Sequence, residues 1–284
     1  MSELRQGVIA CDGFNLQYRI EGEGRPVLVV GSALYYPRCF SGNLRRHLKL
    51  AFMDHRGFAP GNACADKTQY ALPLLIDDIE HVRSELGLGQ VVILGHSGHA
   101  FMALDYAKAY PQHVSHVVML NVAPDYAPVG HAAAERYLEE SVCPERKVLL
   151  AQNMAKLPAA IAAAPDKAFV TYCLLMGPKS WFDPAFDAAP LWDGVETNMA
   201  MFDHVWGEAF RDIDITKGLD ALDKPVFLGL GRHDFLVPPP WLWESVRDRF
   251  RDLTIRVFER SGHAPFLEEP ALFDAELLGW LAAR

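Results

Sequence analysis

The spacing of apolar positions along this chain alternates between a strand-like and a helix-like period. Residues 8–11 and 14–20 flank Asp12-Gly13, a dipeptide suited to a two-residue hairpin turn, and predict a pair of strands. The runs at 27–30 and 50–53 are short and continuously apolar, as expected of parallel strands buried on both faces. Leu74, Leu75, Ile79, Val82 and Leu86 then recur at helical spacing, with Asp77, Asp78, Glu80 and Arg83 between them, and Gly87-Leu88-Gly89 ends that helix. Residues 91–94 read as a central strand. An alanine-rich helix follows from about 98 to 110, stopped by Pro111, and 117–122 is the next strand. This alternation predicts a mostly parallel twisted sheet with helices on both faces.

The pattern breaks between 123 and 212, where helical stretches hold no convincing strand and end in a crowd of aromatics that includes Trp181, Trp192, Phe202 and Trp206. Strand patterning returns at 226–230 and 254–258, and 271–281 reads as a C-terminal helix. The expected division is an α/β core of residues 1–122 and 213–284, interrupted by a helical lid over 123–212. That lid would cover the C-terminal edge of the strands, where ligands bind in such sheets.

Composition narrows the function classes. With 50% hydrophobic residues among 284, core material is ample and wholesale disorder is excluded. The 27 basic and 36 acidic residues give a net charge of −9, which argues against a nucleic-acid partner. Residues 123–212 hold 13 acidic against 7 basic side chains, so much of the excess sits in the expected lid, and anionic substrates should be disfavoured there. No apolar run reaches the roughly 18 residues of a membrane span. The stretch from Met1 to Gly7 is polar and mixed in charge, unlike a secretory signal. Five cysteines without C-x-x-C spacing suit a reducing cytoplasm rather than a disulfide framework or zinc site. The expectation is a cytoplasmic protein acting on a small molecule, with neither nucleic acid nor membrane as partner; a homodimer is compatible with the sequence.

The chemistry concentrates at Gly95-His96-Ser97-Gly98-His99, which directly follows one strand and opens a helix. A serine on such a turn projects its hydroxyl above the sheet, with the free N–H groups and positive dipole end of the helix behind it. Alone, Ser97 is also compatible with a helix cap, the weaker of the two readings. The placement resembles the nucleophile elbow, G-x-S-x-G, of α/β-hydrolases. His99 stands where the pattern has its second glycine, which implies looser helix packing there or a ring pointing into a gap.

The partners follow in that family's order. Residues 226–231 lead to Arg232-His233-Asp234, and 254–258 lead to Ser261-Gly262-His263-Ala264. The resemblance implies Ser97 as nucleophile, His263 as general base and acid, and Asp234 as the carboxylate that fixes the imidazole tautomer. Asp125, after the 117–122 strand, is the reserve acid, and His233 a bystander. The oxyanion hole would use the N–H groups of Gly98 and Ser32; the family's usual His-Gly pair is here Val30-Gly31-Ser32. Tyr35 and Tyr36 either border the pocket or cover the core edge, and Trp181 and Trp206 are pocket candidates from the lid. Asp54-His55-Arg56-Gly57 reads as a structural turn, with Arg56 bridging loops and Gly57 permitting a positive φ. His96 and His99 lack a third ligand for a metal, and no phosphate-binding glycine motif occurs, so no metal or other cofactor is expected.

The fold implied is the α/β-hydrolase fold with an inserted helical lid. The activity implied is hydrolysis of a small, neutral, partly apolar ester, lactone or related acyl compound through an acyl-enzyme. A proline-iminopeptidase-like aminopeptidase is the alternative, using acidic lid residues such as Glu135, Glu139, Glu140, Glu196 and Glu208. A cofactor-free haloperoxidase, a C–C bond hydrolase and a non-catalytic small-ligand receptor share the same layout.

Overall fold

The computed structural model describes residues 4–59, 61, 64–141 and 143–284. Residues 1–3, part of the segment read above for a leader, lie outside them. One sheet of eight strands organises the chain: β1 (Arg5–Cys11), β2 (Phe14–Glu21), β3 (Arg25–Gly31), β4 (Leu48–Asp54), β5 (Val91–His96), β6 (Val114–Leu120), β7 (Val226–Gly231) and β8 (Leu253–Phe258). Their spatial order is β1-β2-β4-β3-β5-β6-β7-β8. β1 and β2 form the expected hairpin, with φ of 48° at Asp12 and 86° at Gly13, the double positive φ of a type I′ turn. β2 also pairs antiparallel with β4; every later pairing is parallel.

The central strands are buried on both faces because helices cover both. α1 (Leu72–Glu85) and α2 (His99–Ala109) lie on one side with Leu28, Val30, Ile93 and Met119. Val27, Val29, Val92, Leu94 and Phe227 point to the other, against the C-terminal helices. This explains the unbroken apolar runs at 27–30 and 91–94, which carry no period-2 signal. Between β6 and β7 the chain is helical: α3 (Pro128–Glu140), α4 (Pro144–Ala163), α5 (Ala168–Leu175), α6 (Gly177–Ser180) and α7 (Met199–His204), then a π-helical turn, Val205–Ala209. No strand occurs there among the described residues. After β8 come the short α8 (Pro265–Glu268) and α9 (Pro270–Ala282). No helix among the described residues is long and apolar enough to cross a membrane, and all five cysteines are unpaired.

Two local readings differ. β6 spans 114–120 rather than 117–122, because Asn121 turns to φ 45° and leaves the strand. Gly57 is absent from the positive-φ residues; it is small because an added Cβ would lie 2.6 Å from the His55 ring and 2.7 Å from Met201 Sδ.

Arg56 does bridge segments. Its guanidinium, fully buried, bonds Asp78 through two nitrogens at 2.6 and 2.8 Å, the Gln69 carbonyl at 2.9 Å and Asp12 at 3.1 Å. It thus ties the β1–β2 hairpin and α1 to the end of β4. Arg56→Met strands the buried Asp78 carboxylate and should cost about 3–5 kcal/mol of stability by urea unfolding. Asp12→Asn removes only the exposed end of the network and should cost less than about 1 kcal/mol.

Candidate active site

β5 ends at His96 and α2 begins at His99, so the chain reverses within Ser97 and Gly98. Ser97 takes up the reversal with φ 56°, a conformation uncommon for a residue with a side chain and a marker of stored strain at functional turns. The turn is tight: a Cβ on Gly95 would sit 2.1 Å from the His99 carbonyl oxygen. Ser97 does not cap α2, which has no side-chain cap hydrogen bond. Its hydroxyl instead lies on the wall of a cavity of about 310 Å³ that His263 also lines.

His263 is held at every polar atom but one. Its Nδ1 donates to Asp234 Oδ2 at 2.7 Å. Its N–H donates to the Ser180 carbonyl at 2.5 Å, and its own carbonyl accepts from His96 Nε2 at 2.7 Å. With Nδ1 protonated, Nε2 keeps a lone pair for the cavity. Asp234 is 2% exposed and fully engaged, its Oδ2 also accepting from Asn121 Nδ2 at 2.9 Å and its Oδ1 from Leu236 N–H at 3.0 Å. Among the described residues Ser97 Oγ makes no hydrogen bond, so the structure brings Asp234 and His263 into contact and leaves the Ser97–His263 link open. Catalytic hydrogen bonds often close only around substrate.

Asp125 does not join this group; it accepts from Ala127 N–H at 2.8 Å, a local turn contact. His233 packs edge-on to Phe182 and makes no side-chain hydrogen bond to Asp234 or His263 among the described residues. Ser32 is buried, and its hydroxyl accepts from the N–H groups of Leu34 and Tyr35 at 3.2 Å each, shaping the loop after β3. Neither the Ser32 nor the Gly98 N–H has an acceptor among the described residues. Tyr35, Tyr36, Trp181 and Trp206 all line the cavity. A Cβ on Gly98 would meet Trp206 Nε1 at 2.6 Å, so only glycine lets that indole close over the elbow.

Several site residues carried no sequence signal. Asn121 reaches both Asp234 and the Gly262 carbonyl. Glu268 accepts from Gly262 N–H at 2.8 Å, Ala264 N–H at 3.3 Å and Phe182 N–H at 2.6 Å, clamping both neighbours of His263 to the helical segment. Burial pushes the Glu268 carboxyl up to about 7, against the pull of those three N–H groups and with help from the Asp234 charge. Lys179 pairs with Glu135 at 2.5 Å on the cavity wall. His99, expected to loosen the helix packing or to point into a gap, is buried and bonded to Tyr36, His55 and the His96 carbonyl. Among the described residues no cluster of side chains is arranged to hold a metal ion.

The sequence profile of a family described as the alpha/beta hydrolase fold matches residues 24–270. An AB hydrolase superfamily protein of Bacillus subtilis, YclE, is 43% identical over 277 residues, covering 98% of this chain and 99% of that one. Among solved structures, a proline iminopeptidase of Mycobacterium smegmatis superposes with a TM-score of 0.72 at 16% identity, covering 98% of each chain. An esterase of Exiguobacterium antarcticum gives 0.66 at 21% identity, covering 97% of this chain and 98% of its own.

The Glu268 carboxyl holds its proton more tightly in the fold than in the unfolded chain. Its contribution to stability is therefore full below the unfolded value of about 4.3, and is lost as the pH rises through about 7. Urea midpoints of the wild type should fall between pH 5 and pH 8 by more than those of Glu268→Gln; equal falls would refute the assignment.

Proposed function

The chain belongs to the α/β-hydrolase fold family, and on that premise we propose that it is a serine hydrolase cleaving a small, neutral, partly apolar ester, lactone or related acyl compound. The observation that carries this reading is the His263 ring, whose Nδ1 is locked to Asp234 at 2.7 Å while its Nε2 is left to the cavity that Ser97 lines.

In this reading His263 Nε2 takes the Ser97 proton as Oγ attacks the substrate carbonyl. Asp234 holds the tautomer and stabilises the imidazolium that forms. The N–H groups of Gly98 and Ser32 receive the oxyanion. Collapse of the tetrahedral intermediate expels the alcohol, which takes the proton from His263 and leaves an acyl-Ser97. Water then attacks with His263 again as base, releasing the acid and restoring Ser97. Residues 123–212 act as the lid. Trp181, Trp206, Phe169 and Tyr172 give the cavity an apolar wall, and its size suits a small ligand.

The charge inside the cavity supports a neutral substrate. Glu135, the one acidic lid residue among the lining side chains, is paired with Lys179 rather than offered to a substrate amine. That pairing favours an esterase over an aminopeptidase.

A fluorophosphonate should label the folded protein at Ser97, and Ser97→Ala should abolish both labelling and hydrolysis of p-nitrophenyl acyl esters. Asp234→Asn should lower kcat by about 10⁴-fold by permitting the wrong tautomer. Absence of labelling on folded wild-type protein would sink the mechanism. Faster turnover of prolyl p-nitroanilide than of any ester would replace the esterase with the peptidase.

A further inference from the structure

A run of buried rings along the cavity wall reaches the backbone of His263. Its two ends are backbone groups whose roles are fixed: Gly57 N–H can only donate, and does so to His55 Nδ1 at 2.9 Å. The His263 carbonyl can only accept, and takes His96 Nε2 at 2.7 Å. Between them His55 Nε2 meets His99 Nε2 at 2.9 Å, His99 Nδ1 meets Tyr36 Oη at 2.9 Å, and Tyr36 Oη meets His96 Nδ1 at 3.2 Å.

A neutral imidazole has one donor and one acceptor nitrogen. Working inward from Gly57, His55 must carry its proton on Nε2 and give it to His99 Nε2. The His99 proton then sits on Nδ1, between Tyr36 Oη at 2.9 Å and the His96 carbonyl at 3.1 Å, both able to accept. Working inward from His263, His96 must carry its proton on Nε2 and accept at Nδ1, from the Tyr36 hydroxyl. The two derivations meet at Tyr36 without conflict: its oxygen accepts from His99 and its proton goes to His96. All three histidines are buried, at 1%, 5% and 5% exposed for His55, His96 and His99. Burial holds His55 and His96 well below the ordinary imidazole value and His99 at about 4, so the rings stay neutral.

We propose that Tyr36 and His99 are positioning residues that reinforce the His96 tautomer required by the His263 carbonyl and, through its Nε2–H, tighten the hold on the backbone of His263. In the opposite tautomer His96 would turn a lone pair on the His263 carbonyl at the same separation, and attraction would become repulsion. The run ends on a backbone carbonyl, so it moves no proton to the reaction. It exists because His99 replaces the second elbow glycine, and because Gly31 leaves room for the Tyr36 ring: a Cβ there would lie 2.2 Å from Tyr36 Cε2. The function assigned to this hold on His263 rests on the hydrolase reading above.

Nitrogen-15 spectra of the histidine rings in the full chain test the tautomers without turnover. The wild type should show His96 protonated on Nε2 and His99 on Nδ1, and in Tyr36→Phe, where the His263 carbonyl alone holds the tautomer, the His96 Nε2–H should exchange with water faster. Tyr36→Phe should also slow Ser97 phosphonylation and lower kcat by about 10-fold, the scale of one coupled hydrogen bond, with KM changed less than about twofold. His99→Gly breaks the run at a second point and should do the same. His96→Gln places an amide N–H where Nε2–H stood, independent of Tyr36; in that background Tyr36→Phe should change the rates by less than about twofold. The proposal is overturned if wild-type His96 carries its proton on Nδ1, or if Tyr36→Phe costs the same in both backgrounds. A wild type that never reacts with the phosphonate defeats the hydrolase reading, while the ring spectra still decide this one.

Discussion

One buried hydrogen bond, from His263 Nδ1 to Asp234 Oδ2 at 2.7 Å, organises the C-terminal edge of the sheet. It joins the loops after β7 and β8, and its members are 8% and 2% exposed. An ionisable pair taken that far from water is stable only when its remaining donors and acceptors are met. Most of the local architecture meets them. Asn121 leaves β6 at a positive φ to donate to Asp234, the end of α6 offers the Ser180 carbonyl, and Glu268 ties down both residues flanking His263. Ser180 is itself held in place by Arg146, which donates to the carbonyls of Pro178 and Trp181 on either side of it.

The same edge shows how burial sets charge. His55, His96 and His99 are packed so deeply that only their neutral forms are tolerated, and each polar nitrogen finds a partner of the right kind. Around Arg56 the opposite solution is used: a fully buried guanidinium is compensated by a two-point contact with Asp78. One network stays uncharged on the cavity wall. The other stays charged at the far side of β4, where it fastens the antiparallel hairpin to the parallel core.

Much of the fold was legible because its signals are local. Asp12-Gly13 announces a hairpin, Gly87 and Pro111 end helices, and the runs at 27–30 and 91–94 are apolar because both sheet faces are covered. Ser97, Asp234 and His263 each stand in the segment that follows a strand ending at His96, Gly231 and Phe258, so their place at one edge follows once the sheet is parallel. The readings that shifted depend on distant partners. β6 ends two residues early because Asn121 must reach Asp234, 113 positions away. What the His99 ring meets was not legible, because Tyr36 and His55 reach it from the segments after β3 and β4. Glu268 looks like one more acidic residue on a C-terminal helix until the backbone N–H groups it serves are brought beside it.

The sequence by itself determined the alternation of strands and helices, the strand-to-helix turn at Ser97, and the order of serine, aspartate and histidine along the chain. These depend on periodicity, turn chemistry and short spacing, which act within about a dozen residues. Only the tertiary structure decided which groups each buried histidine nitrogen meets, which carboxylate of residues 123–212 pairs with Lys179, and what holds His263 in place. Those outcomes turn on hydrogen bonds between groups dozens of residues apart, whose direction is set by the backbone donor or acceptor at the end of each run. No local pattern encodes that boundary condition.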